Sequence, residues 1–183
     1  VAAGADICTI EEAHDFLEKV PNEQRFMATS CCPSWRMMAR RLFPAESGNI
    51  SMTYTPMVYT ARLVKRDRPN CKVVFVGPCA AKKLEAMQDD IRTDVDFVLT
   101  YEELMGIIEA KEIDFSKLPD SPELDEGTRA GRGFAVAGGV AAAVEELIHK
   151  AHPEFEIKTQ RADGLRECRK LLMLAKAGKL DGY

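Results

Sequence analysis

Two cysteine-bearing stretches are the parts of this sequence best suited to chemistry. The first is Thr29-Ser30-Cys31-Cys32-Pro33-Ser34-Trp35, and the second runs from Gly77 to Glu85 as Gly-Pro-Cys-Ala-Ala-Lys-Lys-Leu-Glu. Each lies where an apolar run gives way to a helical pattern, which places a cysteine at the carboxyl end of a predicted strand. Open α/β sheets bind ligands at that edge, so the two stretches can face one another.

A cysteine at such a turn can be interpreted in two ways, as a reactive thiolate or as a packing residue. The amide groups of a helix N-terminus carry partial positive charge and stabilise a thiolate, which is the form that binds iron or attacks an electrophile. Free cysteines are also common as small buried apolar residues. The adjacent pair Cys31-Cys32 before a proline, with Cys79 after Pro78, favours metal or redox chemistry but leaves both readings open.

The two stretches resemble signatures of the iron-iron (iron-only) hydrogenase catalytic domain. The first is similar to its Thr-Ser-Cys-Cys-Pro-x-Trp motif, and the second to its Met-Pro-Cys-x-x-Lys-x-x-Glu motif, in the same order. Further similarity covers residues 6–12, Ser51, Pro56 and residues 131–140. Nearly the whole chain therefore resembles the middle part of that domain.

The resemblance implies an H-cluster, in which a 4Fe-4S cubane is joined to a two-iron unit that carries CO and cyanide. Such proteins interconvert hydrogen with protons and electrons. Cys32 and Cys79 match two of the four cubane ligands, and thiolates are the usual ligands of such clusters. Pro56 and Phe134 match walls of the two-iron cavity, and Lys82 matches a lysine that hydrogen-bonds a cyanide.

The resemblance also implies a path for protons. Cys31 matches the thiol that exchanges protons with the two-iron unit, and the path continues through Glu12, Ser51 and Asp15 to water. From their types alone, the two carboxylates would be exposed on an amphipathic helix and Ser51 would be an ordinary loop hydroxyl.

Two departures from the family pattern limit the expected activity. Gly77 replaces the methionine of the second motif, which would leave the cavity more open. The third signature, Glu-x-Met-x-Cys-x-x-Gly-Cys, is absent from the 183 residues, and it supplies two cubane cysteines in the family. We therefore expect an excised fragment of a hydrogenase that is inactive on its own and lacks a complete, stable H-cluster.

Two other functions stay open at this stage. One is a non-catalytic iron-sulfur protein related to hydrogenases, acting in hydrogen or redox sensing or in cluster assembly. The other is a thiol-dependent oxidoreductase that uses Cys31-Cys32 as a redox pair, although adjacent cysteines form only a strained disulfide. A complete proton path favours the hydrogen-active reading, because cluster assembly does not need one.

Charge and composition exclude several partners. The net charge of −4 comes without a block of Lys or Arg, and no apolar run reaches the roughly 18 residues of a spanning helix. We expect no nucleic-acid binding, no membrane insertion and a cytoplasmic location, with ferredoxin or accessory iron-sulfur domains as electron carrier. Six cysteines in such a chain favour thiols or metal ligands over disulfides, and Cys8, Cys71 and Cys168 are assigned to packing.

The surrounding elements predict an α/β fold with mainly parallel sheets, within a two-lobed hydrogenase-like domain over 1–183. Strands are predicted at 25–29, 71–76, 96–100, 133–137 and 156–160. Helices are predicted at 9–20, 33–43, 57–65, 82–87, 140–149 and 165–177, with another after Thr100. Thr9 and Glu12 match a capping box that would begin the first helix. The polar stretch 111–132 is a possible lobe boundary.

Overall fold

The structure is a computed structural model that describes residues 1–121 and 127–183. The helices are α1 Ala2–Lys19, α2 Pro33–Leu42, α3 Pro56–Asp67, α4 Ala81–Ala86, α5 Tyr101–Ala110, α6 Arg129–Gly133, α7 Gly139–Ala151 and α8 Gly164–Lys176. The strands are β1 Val74–Gly77 and β2 Phe97–Thr100, and short 3-10 helices span Pro44–Asn49 and Phe115–Lys117.

The two strands form a parallel pair joined through α4. Val74 lies opposite Phe97, and Gly77 lies opposite Thr100. At the end of β2, the Thr100 hydroxyl accepts a hydrogen bond from the Glu103 amide at 3.3 Å, while the Thr100 amide donates to the Glu103 carboxylate at 2.8 Å. This capping box begins α5 and confirms the helix expected after Thr100.

Three of the predicted strands are wrong. Within the described part of the chain, residues 25–29 make a single bridge, between Ala28 and Ile50. Residues 133–137 lie at the end of α6 and in the turn after it, and residues 156–160 have no regular structure. Apolar residues in these segments pack against helices, and without a neighbouring strand to pair with, their backbone groups form no ladder.

The apolar run at 71–76 is continuous and not alternating, which predicts a strand buried on both faces, and this prediction is wrong. Val74 is 47 % exposed, and Phe97 beside it is 60 % exposed. In the described residues the sheet has two strands, and one side of it carries no covering helix at these positions. The apolar run of β1 therefore reflects strand propensity more than burial.

Helix α1 begins at Ala2 and not at Thr9. The Thr9 hydroxyl donates to the Ala5 carbonyl at 2.9 Å, one turn back, so the predicted capping box is wrong. Alanines in the first turn favour the helix upstream of Thr9. The longer helix carries Glu12 into the interior, where it is fully buried.

Helix α1 contacts three other helices, α3, α6 and α7. Phe16 and Val20 pack with Val144 and Ile148 of α7. Nearer its N-terminus, Cys8 packs with Phe134 and other residues of a second cluster. This packing fixes the helix that carries Glu12 and Asp15 against the segment that carries Cys31.

Helices α2 and α8 pack side by side through Ala39 and Leu172, with Ile50 completing the cluster. Both helices lie close to their predicted bounds. The apolar spacing of α2 predicts an inner stripe of Trp35, Met38, Ala39 and Leu42. Ala39 is buried as predicted, whereas Leu42 is 57 % exposed. The packing of α8 on α2 brings two distant parts of the chain to the first cysteine stretch.

Helix α5 is less buried than the spacing of its apolar residues predicts. Leu104, Ile107 and Ile108 are spaced for a buried stripe, yet none of the residues of α5 is buried.

The predicted boundary 111–132 includes residues 122–126, which lie outside the described part, and it stays a prediction. Across residues 1–121 and 127–183, no helix combines the length and apolar character needed to cross a membrane.

Candidate functional site

The first cysteine stretch is a defined turn at the start of α2. Cys32 is the residue before the helix and has extended backbone angles, while Pro33 occupies the first helical position. Proline suits that position because its missing amide proton would have no partner there. The Trp35 indole donates to the Thr29 carbonyl at 2.8 Å and so closes the turn around both cysteines.

The structure brings the two cysteine stretches together. Cys79 lies shortly before α4, and its sulfur is 3.7 Å from the Ser34 hydroxyl in the first turn of α2. Helices α2 and α4 are in contact. The expectation that the two turns face one another is therefore supported by a direct side-chain contact.

A cavity of about 600 Å³ opens beside the first stretch. Its lining includes Cys31, Cys32 and Phe134, as the family resemblance implies, and it also includes Cys168 of α8. Phe134 reaches it from the end of α6, where a strand was expected. Three residues that the resemblance places at the site, Cys79, Lys82 and Pro56, are not in the lining of this cavity in the described part of the chain. Pro56 is buried at the start of α3.

Lys82 points inward, as expected from the resemblance, and a buried carboxylate holds it there. Its ammonium group lies 2.7 Å from a Glu85 carboxylate oxygen and donates to the Cys31 carbonyl at 3.2 Å. The other Glu85 oxygen accepts from the Thr55 hydroxyl at 2.7 Å. The side chain of Glu85 is only 1 % exposed, so this network links α4 to α3 and to the cysteine turn.

Glu12 is a fully buried carboxyl group between α1 and the cysteine turn. One of its oxygens accepts from the Ser30 amide at 3.2 Å, and the other has no hydrogen-bond partner among the described residues. Burial raises the pKa of Glu12 to about 7, although Ser30 and the nearby Ser51 hydroxyl both lower it. At neutral pH this carboxyl group can therefore both hold and release a proton.

Cys31 is a neutral thiol and not an activated thiolate. Burial and the neighbouring Glu12 raise its pKa to about 12, and these effects exceed the lowering by Lys82. For Cys31, the expected stabilisation of a thiolate by the helix N-terminus is therefore wrong, because burial dominates. A protonated thiol next to a carboxyl group of intermediate pKa is suited to passing protons.

The outer part of the expected path is only partly assembled. Ser51 is buried, and its hydroxyl accepts a hydrogen bond from the Thr53 amide at 3.2 Å. Asp15 is one turn beyond Glu12 on α1 and pairs with Lys19 at 2.9 Å. Its side chain is 25 % exposed, which places it between the interior and water.

Sequence reasoning missed three residues that the structure places at the site. Glu85 lies in the second motif, and its spacing of three from Lys82 on a helix is the signal for an ion pair. Thr55 could have been recognised only through its contact with Glu85. Cys168 was assigned to packing, but it borders the cavity, and burial and then Cys32 raise its pKa.

Comparisons with known proteins show what this chain is similar to. A family model described as "Iron only hydrogenase large subunit, C-terminal domain" matches residues 1–183. The chain is 35 % identical over 156 residues to iron hydrogenase 1 of Clostridium pasteurianum, covering 76 % of this chain and 27 % of that protein. It is 30 % identical over 187 residues to the periplasmic [Fe] hydrogenase large subunit of Nitratidesulfovibrio vulgaris, covering 89 % and 44 %.

The chain is also similar to a protein with another assigned role. It is 29 % identical over 98 residues to the cytosolic Fe-S cluster assembly factor NAR1 of Kluyveromyces lactis, covering 54 % of this chain and 21 % of that protein. The chain thus spans less than half the length of each of these three relatives.

A solved structure extends the similarity to the fold. The chain superposes on apo [FeFe]-hydrogenase HydA1 from Chlamydomonas reinhardtii, variant C377H, with a TM-score of 0.65 and 26 % identity, covering 87 % of this chain and 46 % of that one. The match includes the mixed arrangement of helices around a small parallel sheet. The family model over all 183 residues, with the similarity in sequence and fold to these proteins, shows that this chain belongs to the family of the iron-only hydrogenase large subunit, C-terminal domain.

Proposed function

We propose that this chain is part of an iron-iron hydrogenase that catalyses the reversible oxidation of molecular hydrogen to protons and electrons. The observation that carries the proposal is the buried Glu12, which has a pKa of about 7 and accepts a hydrogen bond from the amide of Ser30, the residue next to Cys31 of the cavity lining. The chain by itself is proposed to be inactive, since it spans only part of its relatives.

The residues present fit part of an H-cluster site, since they include two of its four cubane cysteines. Cys32 borders a cavity large enough for a metal cofactor, and Cys79 approaches the same turn through Ser34. These two thiols would hold the cubane, Phe134 and the buried Pro56 would enclose the site, and Lys82 would supply a positive charge. When bound, the cluster supplies the iron sites for hydrogen and the route for electrons.

The protein side chains have separate tasks in this proposal. Cys31 keeps its proton at neutral pH and presents it at the cavity wall. Glu12 exchanges that proton at its unpartnered oxygen, and Ser51 and Asp15 continue the path toward water. Glu85 has a positioning role, because it holds the Lys82 ammonium group at the Cys31 carbonyl.

The second candidate is a non-catalytic iron-sulfur protein that acts in hydrogen or redox sensing or in cluster assembly. The similarity to a NAR1 cluster assembly factor favours it. Cluster assembly needs cysteine ligands but no buried carboxyl group that titrates near neutral pH. The arrangement of Cys31 and Glu12 is therefore better explained by proton transfer.

The proposal also includes an electron carrier and a location for the protein. The electron carrier is proposed to be a ferredoxin or an accessory iron-sulfur domain, and the location is proposed to be cytoplasmic. One relative carries the word periplasmic in its name. The proposed hydrogen chemistry therefore does not depend on the proposed location.

The proposal is tested with the full-length parent protein, assembled anaerobically with a synthetic two-iron cofactor. Hydrogen formation from a reduced dye is measured beside infrared bands of CO and cyanide, for the wild type, Cys31→Ala and Cys71→Ala. We expect Cys31→Ala to lower the rate at least about a hundredfold, because a proton donor is removed. Cys71 is outside the cavity lining and serves as the matched control.

Other outcomes of the same experiment separate the alternatives. Infrared bands in the wild type without hydrogen turnover would favour a sensor. If the wild type shows no bands under conditions that load a known hydrogenase, the assembly-related function is favoured and the proposal is wrong.

A further inference from the structure

Ser34 occupies the one position that the first cysteine motif leaves open, directly after Pro33. Its hydroxyl oxygen lies 3.7 Å from the Cys79 sulfur, and this contact joins the two cysteine stretches. Ser34 also lines the cavity that Cys31 and Cys32 border. One side chain of the first stretch thus borders the cavity and contacts the cysteine of the second stretch.

The packing of α4 against α2 brings the hydroxyl and the sulfur together. Pro33 occupies the first position of α2, so Ser34 is the second residue of that helix. Cys79 lies two residues before Ala81, which begins α4. The Cys79 carbonyl accepts a hydrogen bond from the Lys82 amide at 3.1 Å, which ties the backbone of Cys79 to the first turn of α4. Both partners of the contact are therefore held in place by helices.

The hydroxyl group becomes the hydrogen-bond donor when the sulfur binds iron. In the metal-free chain either atom can donate, because a thiol and a hydroxyl each carry a proton. An iron-bound cysteine is a thiolate without a proton, so its sulfur can only accept. Ser34 and Cys79 are both half-buried, and partial exclusion of water strengthens a hydrogen bond to a charged sulfur.

We propose that the Ser34 hydroxyl donates a hydrogen bond to the Cys79 thiolate of the bound cubane and raises the reduction potential of that cluster. The inference rests on the proposed function for the cluster and for Cys79 as its ligand. Ser34 does not bind iron in this proposal. It acts through the ligand sulfur and is therefore a positioning residue.

The direction of the effect follows from the charge of the cluster. Reduction adds one electron, and part of the added negative charge lies on the cysteine sulfurs. A hydroxyl dipole directed at one of these sulfurs stabilises the reduced cluster more than the oxidised cluster. No bond to Ser34 forms or breaks in this step, and an external reductant supplies the electron. Loss of the hydroxyl group should therefore lower the reduction potential.

The test is an anaerobic redox titration of the full-length parent protein, before the two-iron cofactor is added. Dithionite is the reductant, and paramagnetic resonance follows the reduced clusters. Cys79→Ala identifies the signal of this cubane, which should be lost in that variant. Iron and sulfide per chain are measured for every variant. Ser116→Ala is the matched control, because Ser116 is exposed and its hydroxyl donates to the Asp114 carboxylate at 2.7 Å.

We expect Ser34→Ala to bind as much iron as the wild type and to be harder to reduce. At the wild-type midpoint potential, the ratio of reduced to oxidised cubane should fall about tenfold, which is about 59 mV for a one-electron couple. Ser34→Thr keeps the hydroxyl and should stay near the wild type. Ser34→Val has nearly the shape of the threonine variant without the hydroxyl, and it should shift as Ser34→Ala does. Ser116→Ala should leave the potential unchanged.

The outcomes distinguish this inference from the proposed function. If Ser34→Ala and Ser34→Val keep the wild-type potential while Cys79→Ala loses the signal, the role of Ser34 is wrong and the cluster site stands. Equal shifts in Ser34→Thr and Ser34→Val would assign the effect to packing and would also overturn the inference. If Cys79→Ala keeps every cluster signal of the wild type, the proposed cluster site itself is wrong.

Discussion

Glu12 shows how burial sets the chemistry of a single residue. The carboxyl group has one hydrogen-bonded oxygen and one unpartnered oxygen in a fully buried position. Desolvation favours its protonated form more strongly than Ser30 and Ser51 favour its charge. The same residue on an exposed helix face would be a carboxylate at every physiological pH.

The pKa of Glu12 predicts how the stability of the chain depends on pH. Because the folded pKa of about 7 is above the ordinary value of 4.5, the folded state binds more protons than the unfolded state between these values. The free energy of unfolding therefore falls as pH rises from 4.5 to 7 and levels off above 7. For this group the fall should amount to about 3 kcal/mol.

Urea unfolding at a series of pH values checks this prediction with Glu12→Gln. The stability of the variant relative to the wild type should increase from pH 5 to pH 7 and then stay constant. Glu11→Gln is the matched control, because Glu11 is the exposed neighbour on the same helix, and its curve should run parallel to that of the wild type. Parallel curves for Glu12→Gln as well would mean that Glu12 is not protonated in the folded chain at neutral pH.

At the scale of elements, one buried carboxylate fixes the junction of α3, α4 and the cysteine turn. Glu85 on α4 accepts from Thr55, the residue before α3, and pairs with Lys82, which reaches the Cys31 carbonyl. Removing one member of a buried pair leaves the other charge uncompensated. The junction thus depends on Glu85 more than on the exposed ion pairs of α4.

We expect Glu85→Gln to lower the free energy of unfolding by about 3 kcal/mol at pH 7, since Lys82 would remain buried without its partner. The control is Glu103→Gln, which removes the exposed partner of Lys83 and should cost less than about 1 kcal/mol. Urea unfolding of the two variants measures the difference. Equal and small losses would show that the junction is held by other contacts.

The sequence predicts an element well when neighbouring residues determine it, and less well when contacts with distant segments do. The start of α2 follows from local chemistry, because Pro33 after two cysteines suits the first helical position. The parallel pair of β1 and β2 is also predictable from two apolar runs around a helix. The strand expected at 133–137 is absent, because the segment follows α6 and packs Phe134 against α1.

At the scale of the whole molecule, the site is assembled from segments that are far apart in the sequence. The two motifs identify Cys32, Cys79 and Lys82 from local patterns. The burial of Glu12 depends on the start of α1 at Ala2, and the position of Cys168 depends on the packing of α8 against α2. Such long-range contacts leave no periodic pattern in the sequence, so these features required the structure.

The proposed function makes one claim about the whole molecule, namely that protons reach the cavity through Glu12. The most direct test is hydrogen isotope exchange by the full-length parent protein, assembled with a two-iron cofactor and kept in normal water under deuterium gas. Formation of HD is followed by mass spectrometry for the wild type and for Glu12→Gln, with CO and cyanide infrared bands as the control for an intact cofactor. We predict HD formation by the wild type and a loss of at least about a hundredfold in Glu12→Gln with unchanged bands. Equal exchange rates in the two proteins would contradict the proton path, and no exchange in a wild type with intact bands would contradict hydrogen chemistry itself.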